Sequence, residues 1–359
     1  MTVMPRSPNS AAPRRRGSIH VPAVTLAHGG GGSAMRDLID DVFVSAFDNP
    51  ALAALEDQAR LPIAELAALG DKLALTTDSY VIDPLVFPGG DIGKLAVCGT
   101  VNDLAVGGAV PLYLTCSVII EEGLDVGLLR AVAKSMASAA AEAGVAIVAG
   151  DTKVVHKGAC DKLFINTAGV GVIRKGLNLG ADRCRPGDAI LVNGLLGDHG
   201  AAILNARGDM ALTAGIESDC AALHGLIAGL LKAAPSTRFI RDATRGGLAT
   251  VLNEAAQASS TGIRIVEDAI PMREEVKAFC EILGLDPLYL ANEGKIVCAV
   301  PQEEKEAAAE AMRSHPLGKM AAVIGEVTGE WPGRVVMNTV FGGSRIVDML
   351  VGDQLPRIC

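Results

Sequence analysis

Aromatic residues are scarce: Phe, Trp and Tyr together make up 3% of 359 residues, and there is a single Trp. Half of the chain is nevertheless hydrophobic, so the core has to be aliphatic, and a chain of this length can fill two domain cores with it. No basic stripe interleaved with aromatics is present and the net charge is −9, which speaks against nucleic-acid binding. An anionic substrate would need local Lys, Arg or a metal. No CxxC pair exists; the nearest cysteines, Cys98 and Cys116 or Cys280 and Cys298, stand 18 residues apart. Several lie in apolar runs, as in YLTCSVII and KIVCAV, where reduced, buried thiols are expected. Arg14 to Arg16 are not followed by the apolar stretch of an export signal, and no uncharged apolar run approaches a bilayer's thickness. A cytoplasmic protein with no membrane contact is the expectation. His156, His199, His224 and His315 show no metal-type spacing, so no transition-metal site is expected.

Against these absences stand 41 glycines, which suit an α/β protein with close contacts between helices and strands. The stretch Thr76 to Ala109, TTDSYVIDPLVFPGGDIGKLAVCGTVNDLAVGGA, gathers aspartates, a lysine and glycines between two apolar runs. Asp78 ends a β-type run over 72–77 and Asp103 sits in a small-residue helix beginning near Ile92. Carboxylates beside glycine-rich turns suit a magnesium-bound polyphosphate, because hard oxygens hold the metal and the metal offsets phosphate charge. A turn rich in Asp and Gly before a core helix is the plainer reading.

Residues 1 to about 22 are rich in Pro, Ser and Arg without periodicity, so a mobile leader is expected. LAHGGGGSAMR then sets four glycines before a helix over about 34–47. Such a run either curls around an anion or serves as a linker. It has no Walker A spacing: Gly93-Lys94 is followed by Leu95. Of the histidines, His28 beside this run is the one retained as a phosphate contact.

A strand over 113–121, a helix over 126–143 and the strand of AIVAGDTKVVH follow. Asp151 is a third carboxylate at a strand end, and Lys153 a compact charge able to meet a phosphate or carbonyl oxygen; an exposed turn would also explain both. The strand over 162–173 closes the first domain, and the turn Arg185-Pro186-Gly187-Asp188 opens the second. There, GLLGDHG leads into an Ala-rich helix, and a longer helix covers roughly 220–231. In RDATRGG, Asp242 is either an anion-site residue or a helix cap. In LYLANEGKIVCAV, Asn292 to Lys295 interrupt an apolar strand pair. Glu293 there could act as a general base, since burial raises a carboxyl pKa into a useful range; an ordinary turn glutamate is the other reading. The chain ends PRIC. A terminal cysteine swings widely, as a carrier or as a frayed end. Its own carboxylate disfavours the thiolate and Arg357 offsets this.

Taken together, HGGGGSAM, the long stretch above, GDTKVV, DKLFINTAGVG, GDHGA, RDATRGG, ANEGK, SHPLGK and terminal PRIC closely resemble the HypE family of hydrogenase maturation factors, from about Leu26 to Cys359. That family belongs with aminoimidazole ribonucleotide synthetase, selenophosphate synthetase and thiamine-monophosphate kinase. The resemblance implies an α/β (α+β) protein of the two-domain aminoimidazole ribonucleotide synthetase-like fold, a homodimer pairing through its N-terminal sheets. Its parts would be a leader over 1–24, an ATP-binding and dimerisation domain over 25–184, a C-terminal domain over 185–350 and a mobile tail over 351–359.

By the same resemblance Asp78, Asp103, Asp151 and Asp242 would be magnesium and triphosphate residues, joined at the nucleotide by His28, Gly30, Gly31, Asp83, Lys94 and Asn102. A carbamoyltransferase, HypF, would place a carbamoyl group on Cys359, and ATP would drive its dehydration to a thiocyanate, with Lys153 stabilising charge and Glu293 moving protons. The cyano group would pass to iron on a HypC-HypD scaffold. A small-molecule synthetase or kinase of the superfamily, or a nucleotide-binding scaffold without turnover, is the alternative.

Overall fold

A computed structural model describes residues 17–208, 215–350, 352 and 357–359. The first half carries β1 (Lys72–Tyr80), the short hairpin β2 (Val86–Phe87) and β3 (Gly90–Asp91), β4 (Ala109–Glu121), β5 (Ala146–Val155) and β6 (Leu163–Ile173). Its four-stranded sheet runs β1-β6-β4-β5, with β4 and β5 parallel and the other neighbours antiparallel. In the second half are β7 (Ala189–Val192), β8 (Phe239–Asp242), β9 (Gly262–Val266), β10 (Ile296–Val300), β11 (Ala322–Thr328), β12 (Val335–Asn338) and β13 (Ser344–Val347). They form a seven-stranded sheet in the order β13-β12-β9-β11-β7-β10-β8.

The helix Ile92–Val106 sits at the centre of the molecule. Its sequence is apolar on every side, and a helix of that kind has to be buried all round; twelve of its fifteen residues are. Asp91 caps it by accepting the amides of Gly93 and Lys94. Gly99 is needed for close approach, since a Cβ there would collide with the Tyr80 hydroxyl of β1. One hydrophobic cluster joins this helix and sheet to Ile203, Cys220, Ala291 and Ile358 of the second half, so the two halves share a core along their contact.

The expected elements are largely present, with differences at their ends. β1 runs on to Tyr80, so Asp78 lies inside the strand. The helix expected over 34–47 is a helix Ser33–Leu38, a π-turn Ile39–Val44 and a last turn Ser45–Phe47. The helix expected over 220–231 begins at His224 and ends at Ala233. The expected strand pair around ANEGK has one member, β10. Before it, Asp286 accepts the Leu288 amide at 3.0 Å and Pro287 starts a 3-10 turn instead of a strand.

Residues 1–16 of the expected leader lie outside the described residues. Residues 17–24 pack onto the first half: Ile19 and Val24 are buried, the Arg130 guanidinium reaches the Ile19 carbonyl, and Val24 exchanges backbone bonds with Leu124 and Gly123. Among the described residues no helix is long and apolar enough to cross a membrane.

Candidate active site in the cleft between the halves

Alternation along β1 turns Thr76, Asp78 and Tyr80 toward the central helix and leaves Leu73, Leu75, Thr77 and Ser79 on the outer face. The Thr76 hydroxyl donates to Asp103 Oδ2 at 2.8 Å. Burial raises the Asp103 carboxyl; the Thr76 bond and Arg241 oppose this while Asp78 adds to it. From the second half Asp242, the last residue of β8, enters the same field. Burial and then Asp103 push it up to about 7. The capping explanation for Asp242 fails: the helix after it starts at Gly247 with Gly246 as N-cap, and no side chain caps it.

Glu293 is 3% exposed, and its Oε1 has no hydrogen-bond partner. Burial first, then Asp242, Asp219 and Asp78, holds its carboxyl well above the usual range. A buried acceptor without a donor is costly and is kept where it does something. Its backbone is fixed firmly. Asp219 Oδ1 accepts the Glu293 amide at 3.0 Å, and Oδ2 accepts the Gly294 amide at 3.2 Å and Lys295 Nζ at 2.8 Å. Burial alone would raise Asp219, but the Lys295 ammonium and the Glu293 amide together bring it below the ordinary value.

The structure brings Asp78, Asp103, Asp242 and Glu293 into one electrostatic cluster. It does not bring Asp151 there. Ser79 pairs with Asn166, Asn166 with Ser117 and Ser117 with Asp151, so Asp151 shares the outer face with Ser79, opposite Asp78. The two strands are three spacings apart, roughly 14 Å. Lys153 lies on that outer face too, in an exposed 2.8 Å ion pair with Asp151. The four-aspartate metal set expected from the sequence is therefore not assembled within one chain. Among the described residues no three His, Cys, Asp or Glu side chains are already gathered as a metal cage.

The other expected nucleotide residues make contacts of their own. The His28 ring is bound to its own turn, with Nδ1 accepting the Thr25 amide at 2.9 Å. Gly30 donates to Ala27 in that turn. Gly31 and Gly32 line a groove of about 900 Å³ against β5, together with Arg36 and Asp151. Asp83 forms a 3.0 Å ion pair with Lys162, which lowers its pKa, and Lys94 Nζ donates to the Gly89 carbonyl. Asn102 is a clamp between the halves: its Oδ1 accepts the Leu223 amide at 2.7 Å and its Nδ2 donates to the Ala221 carbonyl at 3.0 Å.

The end of the chain lies in the same region. Ile358 is 3% exposed. Val81 donates its amide to an oxygen of the Cys359 terminal carboxylate at 3.1 Å, Arg357 Nε donates to the Val81 carbonyl at 3.0 Å, and Arg357 pairs with Asp161. Cys359 packs against the core cluster that holds Cys98, Cys220 and Ala291. Sequence reasoning missed Asp219, which stands in a stretch without periodicity, and His199, set aside for want of metal spacing. Lys295 was visible only as part of ANEGK.

Two family models match the chain: AIR synthase related protein, N-terminal domain, over residues 56–173, and its C-terminal domain over residues 185–338. The carbamoyl dehydratase HypE of Rhodobacter capsulatus is 62% identical over 336 residues, spanning 94% of this chain and 98% of that protein. A crystal structure of the hydrogenase maturation protein HypE in complex with ATP superposes with a TM-score of 0.88 at 50% identity, covering 93% of this chain and 99% of that one. A HypE-HypF complex structure matches with a TM-score of 0.76 at 48% identity, covering 89% and 100%.

Proposed function

This chain belongs to the HypE family of carbamoyl dehydratases, built from AIR synthase related domains, and on that footing we propose how it acts in hydrogenase maturation. It dehydrates the S-carboxamide on its own Cys359 to a thiocyanate, using ATP. The observation that carries this reading is the tail itself: Cys359 packs against the core that joins the halves while Glu293 presents a buried acceptor with no donor.

An amide oxygen is a poor leaving group. In the proposed reaction the carboxamide oxygen attacks the γ-phosphorus of ATP, ADP departs and one N–H proton is lost. The C–O bond then breaks with phosphate leaving, the second N–H proton is removed and the carbon–nitrogen triple bond is completed. Glu293, raised by burial and its carboxylate neighbours, is the base for these protons. Tethering the substrate to the enzyme raises its effective concentration, so weak contacts with the tail suffice.

Mg²⁺ fits the donor set. Asp78, Asp103 and Asp242 are hard oxygen donors; beside burial, Asp78 raises the Asp103 carboxyl and both raise Asp242, a repulsion that a divalent cation relieves. Magnesium needs only one or two protein carboxylates when phosphates supply the rest, so a ready-made cage is not required. When bound, it neutralises phosphate charge. Asp103 and Asp242 would hold it, with the Thr76 hydroxyl fixing Asp103.

The homodimer completes the site in this reading. Leu73, Leu75 and Ile119 are 58%, 76% and 41% exposed on the outer sheet face, an apolar surface that pairing would cover. Pairing of the outer faces would also let the Gly31 loop, Asp151 and Lys153 of one subunit serve the carboxylates of the other. HypF would load the tail, as the complex formed by a relative supports, and a HypC-HypD scaffold would receive the cyano group, in the cytoplasm. The mass of the C-terminal peptide after incubation with HypF, carbamoyl phosphate and Mg-ATP tests the reading, with Cys359→Ala as control. A carbamoyl adduct that loses one water only with ATP is expected; an unmodified tail with active HypF would reject it in favour of the small-molecule synthetase.

A further inference from the structure

The GDHG motif has no role in the reaction as drawn, yet its histidine touches the tail. His199 is completely buried. Its Nε2 lies 2.8 Å from the Ile358 carbonyl oxygen, the peptide group that leads into Cys359, and its Nδ1 lies 2.8 Å from Ser218 Oγ. A carbonyl only accepts, so Nε2 carries the proton, and Nδ1 accepts from the Ser218 hydroxyl. Ser218 Oγ in turn accepts the Cys220 amide at 3.1 Å. One tautomer and one orientation satisfy both ring nitrogens and the Ser218 hydroxyl.

The ring is also fixed from behind. Phe87 meets it edge-to-face, with centroids 5.7 Å apart. The helix Asp198–Arg207 that carries it is tied to the segment preceding Glu293: Gly197 donates to Asn292 Oδ1 at 2.7 Å and Gly200 to the Ala291 carbonyl at 3.0 Å. Asp198 is anchored by Arg273 at 3.0 Å. At the other end of the same helix, Arg207 Nη2 donates to the Arg357 carbonyl at 2.7 Å. One helix thus grips the tail at two successive carbonyls and is fastened to the loop that bears Glu293. The strap Ser218-Asp219 joins them again, since Ser218 orients His199 and Asp219 holds the Glu293 amide.

We propose that His199, oriented by Ser218, is the positioning residue that latches the carrier tail in its inward, reacting place. The inference rests on Cys359 being the carrier. The latch makes a single neutral hydrogen bond to the tail, strong enough to bias it inward and weak enough to release it to a partner. It registers Cys359 against Glu293 through a shared scaffold.

Three full-length variants test the latch. His199→Phe keeps a ring beside Phe87 and removes the donor; His199→Gln replaces the ring but keeps an N–H at similar reach; Ser218→Ala removes the orienting hydroxyl. The first readout is the rate of Cys359 alkylation by N-ethylmaleimide in the native protein, followed by mass of the C-terminal peptide, with half-buried Cys160 as internal standard. The second is single-turnover loss of water from carbamoylated protein on adding Mg-ATP.

With His199→Phe, Cys359 should alkylate about fivefold to tenfold faster and dehydrate slower by a similar factor, the size expected for one lost hydrogen bond. Cys160 should react at its wild-type rate, and His199→Gln should recover most of both changes. Wild-type Cys359 rates in His199→Phe would overturn the latch, as would a Gln variant no better than Phe. Where the Phe variant does not fold, Ser218→Ala decides: faster Cys359 alkylation supports the latch and an unchanged rate overturns it. A wild-type protein that alkylates slowly but never dehydrates would reject the carrier reading and the reacting place built on it, while faster alkylation in His199→Phe would still show that His199 holds the tail.

Discussion

The Asp219 carboxylate holds the Glu293 amide at 3.0 Å across 74 residues of sequence, while its other oxygen is spent on Gly294 and Lys295. The backbone of the proposed base is thereby fixed, and its side-chain Oε1 is buried and left unpartnered. Position is rigid and chemistry is free.

Glu293→Gln should bind ATP but fail to dehydrate the carbamoylated tail, with a loss of 10²-fold or more, of the order general-base removal costs. The raised carboxyl has to be ionised to act, so the wild-type rate should climb with pH through its elevated pKa. Rapid-quench mass measurements across pH check both. A Gln variant at the wild-type rate would remove Glu293 from the mechanism.

Asp242 sets a stability signature in metal-free protein. Its folded pKa of about 7 stands above the usual 3.8, so between those values the unfolded chain has released its proton and the folded one retains it. Stability contributed at this position therefore falls as pH rises through that window. Asp242→Asn should gain on wild type in thermal midpoint from pH 4 to 7 and level off above. With Mg-ATP present the order should reverse, because the variant lacks a ligand. Calorimetric scans with and without nucleotide separate the two.

Asp219→Asn leaves Lys295, 11% exposed in its side chain, without its counter-ion. Removing one partner of a buried pair costs about 3–5 kcal/mol. Denaturant titration should show a loss of that order, and the Glu293 pH limb should shift downward because one of the charges that raises it is gone.

Gly99→Ala should destabilise by about 1–3 kcal/mol, the range for overpacking, because the new methyl meets the Tyr80 hydroxyl. Gly99→Ala combined with Tyr80→Phe should recover part of the loss in the same titration.

Leu75→Glu, at a position 76% exposed on the outer sheet face, should shift the protein from dimer to monomer in sedimentation and depress dehydration if the partner's Asp151 and Lys153 serve the site. A variant that stayed dimeric would place the interface elsewhere.

Much of the fold and part of the site are legible in the chain. A β-type run marked β1, a strand was expected within β4, apolar small residues marked the central helix, and Asp78, Asp103, Asp242 and Glu293 were all candidates and do converge. Asp151 and Lys153 were equally legible as residues beside a strand end. Nothing local tells which face of a strand a side chain takes, because period-two alternation is the same whichever face a helix covers. Asn102 was a nucleotide candidate by resemblance, and only packing shows its amide bonded between the halves.

The sequence by itself determined most of the elements and the order of the glycine and carboxylate motifs, since these depend on neighbours a few residues away. The tertiary structure decided which carboxylates share a field, which face Asp151 takes and where the tail docks. Those depend on register, burial and the meeting of His199 with Ile358 across 159 residues, which no local pattern encodes.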